Sequence, residues 1–207
     1  MRLTSPVITL AIVLAIGSGA AAQSPSPSPA PSAPATVVPA TVAPSPTAQP
    51  SAAPTPTPQP TPQDTARISA PSGWRPGSTA QSGPFIILHL WRPPAKLIRA
   101  DNVVLGFVPL GNAQGANTPT YGKAVADAVR KMGPPHNVKQ SKPITICRGT
   151  QQGWFIEDVL NFGSLKVRQE SVLAAGPHEG FMAAYTRKDG DRPISAAESS
   201  IRTLCVK

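Results

Sequence analysis

Residues 146–156 read ICRGTQQGWFI, two apolar runs joined by a polar turn that contains glycine. Glycine tolerates the backbone dihedrals that a tight reversal needs, so this stretch predicts an antiparallel β-hairpin. Cys147 stands at the entrance of the turn, and the only other cysteine is Cys205, the third residue from the end. A bond between them would fasten the C-terminal segment to the middle of a sheet.

Short apolar segments surround this hairpin and have the length of β-strands. Glycine-rich turns separate the four segments at about 138–147, 153–160, 164–173 and 180–187, and upstream lie the apolar runs 85–91 and 103–108. Connections this short join antiparallel neighbours. The sequence therefore predicts an antiparallel sheet of about six strands.

Two segments carry helical periodicity instead. Thr118 and Pro119 predict a helix start with Thr118 as the N-cap, and apolar residues then recur at three- and four-residue spacing until Gly133. Near the end of the chain, Ser195 and Glu198 have the spacing of a capping box that opens a second helix. Residues 67–207 therefore predict one α/β domain of the α+β type, in which helices flank the sheet.

The first 66 residues have a different character. Residues 1–22 contain one cation, an apolar run too short to span a bilayer, and a small-residue cleavage pattern, which together predict a signal peptide. Residues 23–66 hold 14 of the 27 prolines and no lysine or arginine, which predicts a disordered stalk that samples polyproline II. We therefore expect an exported protein, periplasmic or extracellular, at the cell surface or free of it, with no stable membrane insertion after cleavage. Export makes a Cys147–Cys205 disulfide the expected state.

The net charge of +9 falls entirely on residues 67–207. A basic balance favours anionic partners, and the cations are scattered rather than clustered, so nucleic acid is not expected. An envelope protein or an anionic envelope polymer fits an exported chain better.

The sequence shows no catalytic set. His89, His136 and His178 share no metal-ligand spacing, and the G-x-S-x-G nucleophile motif is absent. Glu157 and Asp158 are adjacent on a predicted strand, so they point to opposite faces and cannot act together on one substrate. We expect no enzymatic activity, no catalytic or metal-binding residues and no cofactor.

The hairpin turn is the best sequence candidate for a recognition surface. Arg148, Gln151 and Gln152 are polar side chains framed by the aromatic ring of Trp154. The three tryptophans could form a binding wall or serve as core anchors, and their positions beside apolar strands favour the core: Trp74, Trp91 and Trp154.

The order of these elements resembles the PsbP-like domains, named after an extrinsic protein of photosystem II. The segments that carry the resemblance are 70–74, the 146–154 hairpin, 184–187 and 199–205. The resemblance implies an antiparallel sheet sandwiched by helices and a non-enzymatic accessory, assembly or protein-binding role. The proline-rich stalk and the cysteine pair depart from the photosynthetic members, so the exported bacterial type, largely uncharacterised, is the better match.

The leading hypothesis is an exported, non-catalytic binding or accessory domain that recognises a protein or an anionic cell-envelope component. One alternative is a small secreted hydrolase with a site built from scattered residues such as His89, Glu157, Asp158 and Tyr185. Another is a structural surface protein in which the stalk matters more than the domain.

Overall fold

The computed structural model describes residues 61–77, 81–82, 85–94 and 101–207. The predicted signal peptide, and the predicted stalk as far as residue 60, lie outside the described residues. Two helices and ten strands follow in chain order: β1 Ala66–Arg67, β2 Arg75–Pro76, β3 Gln81–Ser82, β4 Phe85–Arg92, β5 Asn102–Pro109, α1 Thr118–Met132, β6 Val138–Ile146, β7 Gln151–Phe162, β8 Leu165–Ala175, β9 Glu179–Lys188, α2 Ser195–Arg202 and β10 Cys205–Val206.

One antiparallel sheet contains the six long strands that the sequence predicts. Its order is β2-β4-β5-β9-β8-β7-β6, and β3 also pairs with β4. Consecutive hairpins join β6 to β9, whereas β5 pairs with β9 across the intervening helix and three strands. The short strands β1 and β10 form a separate antiparallel pair that brings the two ends of the folded part together.

A helix covers each face of the large sheet. The core on one face joins α1 to inward side chains of β7, β8 and β9, including Tyr121, Val125, Ile156, Leu173 and Met182. The core on the other face joins α2 to the opposite side of the same strands, including Val172, Phe181, Tyr185, Ala197 and Ile201. The predicted α+β class, with helices flanking an antiparallel sheet, is confirmed.

The start of α1 corrects the sequence prediction. Asn117, not Thr118, is the N-cap, and its side-chain oxygen accepts a hydrogen bond from the Thr120 N–H at 2.9 Å. The Thr118 hydroxyl accepts from the Ala175 N–H at 3.0 Å, so it ties the helix to β8 instead of capping it. The predicted end is confirmed, because Gly133 follows Met132 with a φ of 64°.

The capping box predicted for α2 is wrong. Ile194 is the N-cap and its side chain makes no capping hydrogen bond; Ser195 is already helical. The Ile194 carbonyl accepts from the N–H groups of Ala197 and Glu198, at 2.9 and 3.1 Å. Its own N–H donates to the Tyr185 hydroxyl at 3.1 Å. The packing of Ile194 against the α2-side core thus determines where α2 begins.

Folded contacts begin inside the segment that composition assigns to the stalk. The N–H groups of Gln63 and Asp64 donate to the Glu179 carboxylate at 3.0 and 2.9 Å. Thr65 exchanges two backbone hydrogen bonds with Lys207, at 3.0 and 2.7 Å. Folded structure therefore extends at least to Gln63. Neither helix of the described residues is long and apolar enough to cross a membrane.

Candidate functional site

The turn after β6 is closed by the predicted disulfide, which is confirmed between Cys147 and Cys205. Cys147 and Arg148 both adopt left-handed backbone conformations, with φ of 52° and 56°. Such conformations are unfavourable for residues other than glycine, so the surroundings must hold them in place. The Cys147 carbonyl accepts from both the N–H and the hydroxyl of Thr150, and the turn projects Arg148 into solvent.

Gln151 is a second link, after the disulfide, between the hairpin and the C-terminal strand β10. Its side-chain amide donates to the Val206 carbonyl at 2.6 Å, and its side-chain oxygen accepts from the Val206 N–H at 3.0 Å. Gln151 therefore acts as a backbone mimic that holds β10 in position. The disulfide, which ties β10 to the same hairpin, borders a groove.

This groove has a volume of about 460 Å³ and is bounded by the disulfide. Three exposed arginines line it, each from a different element: Arg67 comes from β1, Arg148 from the turn, and Arg202 from the last residue of α2. We call this the arginine groove. It forms because the β1–β10 pair and the disulfide bring these three segments together.

The arginine groove carries uncompensated positive charge. No carboxylate lines it, and within the described parts of the chain none of its arginines forms an ion pair with an acidic side chain. The Arg202 guanidinium lies 5.4 Å from the centroid of the Phe155 ring, which orients it without neutralising it. An anion in the groove would therefore meet guanidinium groups that have no carboxylate partner among the described residues.

Ser69 and Thr203 also line the arginine groove, and hydrogen bonds hold both in position. The Ser69 N–H donates to the Thr203 hydroxyl at 2.7 Å, and the Thr203 hydroxyl donates to the Ser200 carbonyl at 2.7 Å. The Ser200 hydroxyl donates to the Ser69 carbonyl at 2.5 Å. This network fastens the segment after β1 to the end of α2 along one wall of the groove.

The four residues of the recognition surface predicted at the hairpin turn do not lie in one site. Arg148 lines the arginine groove, whereas Gln151 and Gln152 border an adjoining depression of about 390 Å³. Trp154 is half-buried against the α1-side core, where its Nε1 donates to the Ser141 hydroxyl at 2.8 Å. Trp74 and Trp91 pack against the other core.

Arg67 and Arg202 were missed by reasoning from sequence. Neither belongs to a motif, and they meet only because Ala66–Arg67 pairs with Cys205–Val206. A two-residue strand has no periodicity to detect. The one available signal was the cysteine pair, which predicts that the C-terminal segment reaches the hairpin.

The four residues of the hydrolase alternative do not meet. His89 is exposed on β4, where a bulge in the pairing with β5 precedes it, and its ring lies 5.4 Å from that of Trp91. Tyr185 is fully buried and donates to Asp101 at 2.8 Å. Glu157 pairs with Arg168, whereas Asp158 is buried beneath α1.

Asp158 holds the loop after α1 onto β7. One of its carboxylate oxygens lies 2.6 Å from Nδ1 of His136, and the other accepts from the Asn137 N–H at 2.7 Å. Both side chains are largely buried. No spacing or motif in the sequence predicts this pair, because His136 and Asp158 are 22 positions apart.

One set of residues has the composition of a metal site. Ligand atoms of Asp64, His178 and Glu179 lie within 4.8 Å of one another. Every carboxylate oxygen already accepts a hydrogen bond: Asp64 from His178 Nδ1 and from two N–H groups, and Glu179 from the N–H groups of Gln63 and Asp64. Burial would raise the pKa of Asp64, but the hydrogen bonds from His178 and Glu179 outweigh it and hold that pKa at about 2. The cluster is therefore satisfied as a clasp between the start of the fold and the β8–β9 turn.

Comparison with known proteins shows only distant structural likeness. No family model and no curated protein matches the chain. A crystal structure from Bacteroides thetaiotaomicron is 14% identical, with a TM-score of 0.41, and the match covers 69% of this chain and 45% of that one. LpqN of Mycobacterium tuberculosis, described as involved in cell envelope biogenesis, is 14% identical, with a TM-score of 0.44, over 70% of this chain and 84% of LpqN. This chain spans less than half the length of the Bacteroides protein.

Proposed function

We propose that this protein is an exported, non-catalytic binding domain that holds an anionic component of the cell envelope in the arginine groove. The observation that carries the proposal is the convergence of Arg67, Arg148 and Arg202, from three distant segments, with no acidic partner among the described residues. Chains rarely gather like charges without a counter-charge, because their mutual repulsion costs stability.

Arginine suits this role better than lysine. Its planar guanidinium can donate two parallel hydrogen bonds to a phosphate or a carboxylate. Two features preorganise the groove: the disulfide fixes its floor, and the left-handed turn sets the direction of Arg148. Preorganisation lowers the entropy that the protein loses on binding.

The compartment supports an envelope ligand. The N-terminal sequence has the pattern of a signal peptide, and a disulfide persists best outside the cytoplasm. The sequence segments and the helix–sheet–helix layers support a resemblance to the exported PsbP-like domains. That resemblance supports a binding or accessory role and brings no catalytic residue to this chain.

Retention of envelope material by the immobilised protein tests the proposal. We expect the chain from Gln23 to Lys207 to retain an anionic component from envelope extracts and to release it as salt rises, because salt screens exposed charges. The variant R67S/R148S/R202S should lose this retention.

The matched control K123S/K131S/K139S removes the same number of exposed positive charges away from the groove. It should retain the component nearly as well as the wild type. Equal loss in both variants would mean that net charge, not the groove, carries binding and would defeat the proposal.

A further inference from the structure

The end of the molecule opposite the arginine groove presents an apolar tip. Met132, Phe162 and Leu165 are 41%, 40% and 37% exposed and are the exposed large hydrophobic residues of the described chain. Phe162 and Leu165 are cross-strand partners at the β7–β8 turn. The Asn161 N–H donates to the Pro135 carbonyl at 2.9 Å, which holds the end of α1 beside them. We call Met132, Phe162 and Leu165 the apolar tip.

The apolar tip is uncovered because β8 is longer than α1, the helix that packs on it. The 15 residues of α1 span about 22 Å, whereas the 11 residues of β8 span about 37 Å. The helix begins beside Ala175, at the far end of β8, so it stops short of the β7–β8 turn.

Phe162 and Leu165 lie on the face of the sheet that α1 covers further along. Phe162 is an even number of residues from Ile156, and Leu165 is an even number from Leu173, so side-chain alternation places all four on one face. Ile156 and Leu173 are buried under α1. The apolar tip is therefore the uncovered continuation of a core face.

Lysines flank the tip. Lys188 pairs with Val167 and shares the face of Leu165, Lys166 follows Leu165 and points to the opposite face, and Lys131 precedes Met132. Within the described chain these lysines form no ion pair. The nearby carboxylates of Glu157 and Asp189 share the single guanidinium of Arg168, so three lysines and one arginine stand against two carboxylates. The rim is therefore net positive.

We propose that the apolar tip docks peripherally on the surface of an anionic lipid bilayer. The apolar side chains can insert among the acyl chains of a bilayer, and the flanking lysines can contact its negative headgroups. A second copy of the chain fits less well, because two facing tips would bring their lysine rims together. Docking of this kind is reversible and needs no membrane-spanning segment.

The tip and the arginine groove share no residue and lie at opposite ends of β8. The groove lies beside the β6–β7 turn, whereas the tip lies at the β7–β8 turn. Binding at one site therefore leaves the other free. Failure of either proposal does not affect the other.

Vesicle co-sedimentation tests the docking of the chain from Gln23 to Lys207. We compare vesicles of phosphatidylcholine alone with vesicles of equal parts phosphatidylcholine and phosphatidylglycerol. We expect binding to the anionic vesicles, weakened by salt. The variant F162S/L165S should lower the partition coefficient by at least about tenfold, because two apolar anchors are lost. Both residues are exposed, so the fold should tolerate the change, and circular dichroism verifies this.

Two further variants separate the contributions. K166S/K188S should weaken binding only to the anionic vesicles, and K123S, on the far part of α1, should bind like the wild type. No binding of the wild type to either vesicle overturns the proposal, and so does equal binding by F162S/L165S. A concentration-dependent dimer in sedimentation velocity that F162S/L165S abolishes, without vesicle binding, would assign the tip to a second copy instead.

Discussion

Asp64 fastens the first described residues to the β8–β9 turn. Its carboxylate accepts hydrogen bonds from His178 Nδ1 and from the N–H groups of His178 and Glu179, and the Asp64 N–H returns one to Glu179. The fit is close, because a Cβ added at Gly176 would overlap the Asp64 side chain. This clasp holds the segment that leads into β1 and Arg67.

Replacing Asp64 with asparagine should destabilise the protein by about 1–3 kcal/mol at neutral pH, because an amide cannot accept all of these hydrogen bonds and leaves buried donors unpaired. Urea unfolding measures the loss. D127N is the matched control, since Asp127 forms only an exposed pair with Arg130, worth at most about 1 kcal/mol.

The same residue gives a pH dependence of known sign. The pKa of Asp64 is about 2 in the folded protein, below its ordinary value of 3.8. The carboxylate therefore stabilises the fold fully above the ordinary value and loses that contribution as the pH falls from about 4 to 2. Wild type and D64N should converge in stability over this range. A constant difference between them would contradict the clasp.

Sequence reasoning failed at this residue for a physical reason. Asp64 lies in a proline-rich segment whose composition predicts an unfolded stalk, and its partners His178 and Glu179 are more than 110 positions away. Long-range contacts also decide the N-cap of α1. Asn117 and Thr118 are both good N-cap residues, and only the position of Ala175 decides which one is used.

At the scale of elements, β10 is a strand of two residues held by its surroundings. The disulfide and the Gln151 side chain tie it to the hairpin, and Ala66–Arg67 pairs with it. A two-residue strand contributes little hydrogen bonding of its own. We therefore expect it to depend on the disulfide more than any other element does.

Removing the disulfide with C147S/C205S should cost up to about 4 kcal/mol, since the bond closes a loop across a separation of 58 residues. Hydrogen exchange should quicken first at Val206 and in α2. The amides of β5 and β9, in the middle of the sheet, should exchange only with global unfolding. Unchanged exchange in α2 would show that the disulfide does not hold this end.

The long elements follow from local sequence patterns, whereas the pairing partners of the short ones do not. The strands from β6 to β9 and the end of α1 follow from apolar patterns and glycine turns that local sequence contains. β1, β2, β3 and β10 have two residues each, too few for a period to appear. β1 and β10 pair across almost the whole folded part, and β2 and β3 are defined by their pairing with β4.

At the scale of the whole molecule, the fold separates two surfaces of different chemistry. The arginine groove depends on the meeting of the two ends of the folded part, whereas the apolar tip results from a mismatch between strand and helix lengths. The sequence predicted a basic, anion-binding domain from its charge. It did not locate the arginine groove, because only one of the three arginines, Arg148, lies in the hairpin at 146–156.

The salt dependence of polyphosphate binding tests the central claim most directly. With the affinity measured by titration calorimetry at several salt concentrations, three arginines that contact phosphates should contribute about 2 to the slope of log affinity against log salt. We predict that R67S/R148S/R202S flattens the slope by that amount and that K123S/K131S/K139S leaves it nearly unchanged. An unchanged slope in the arginine variant, or equal flattening in both variants, would contradict the assignment of the groove.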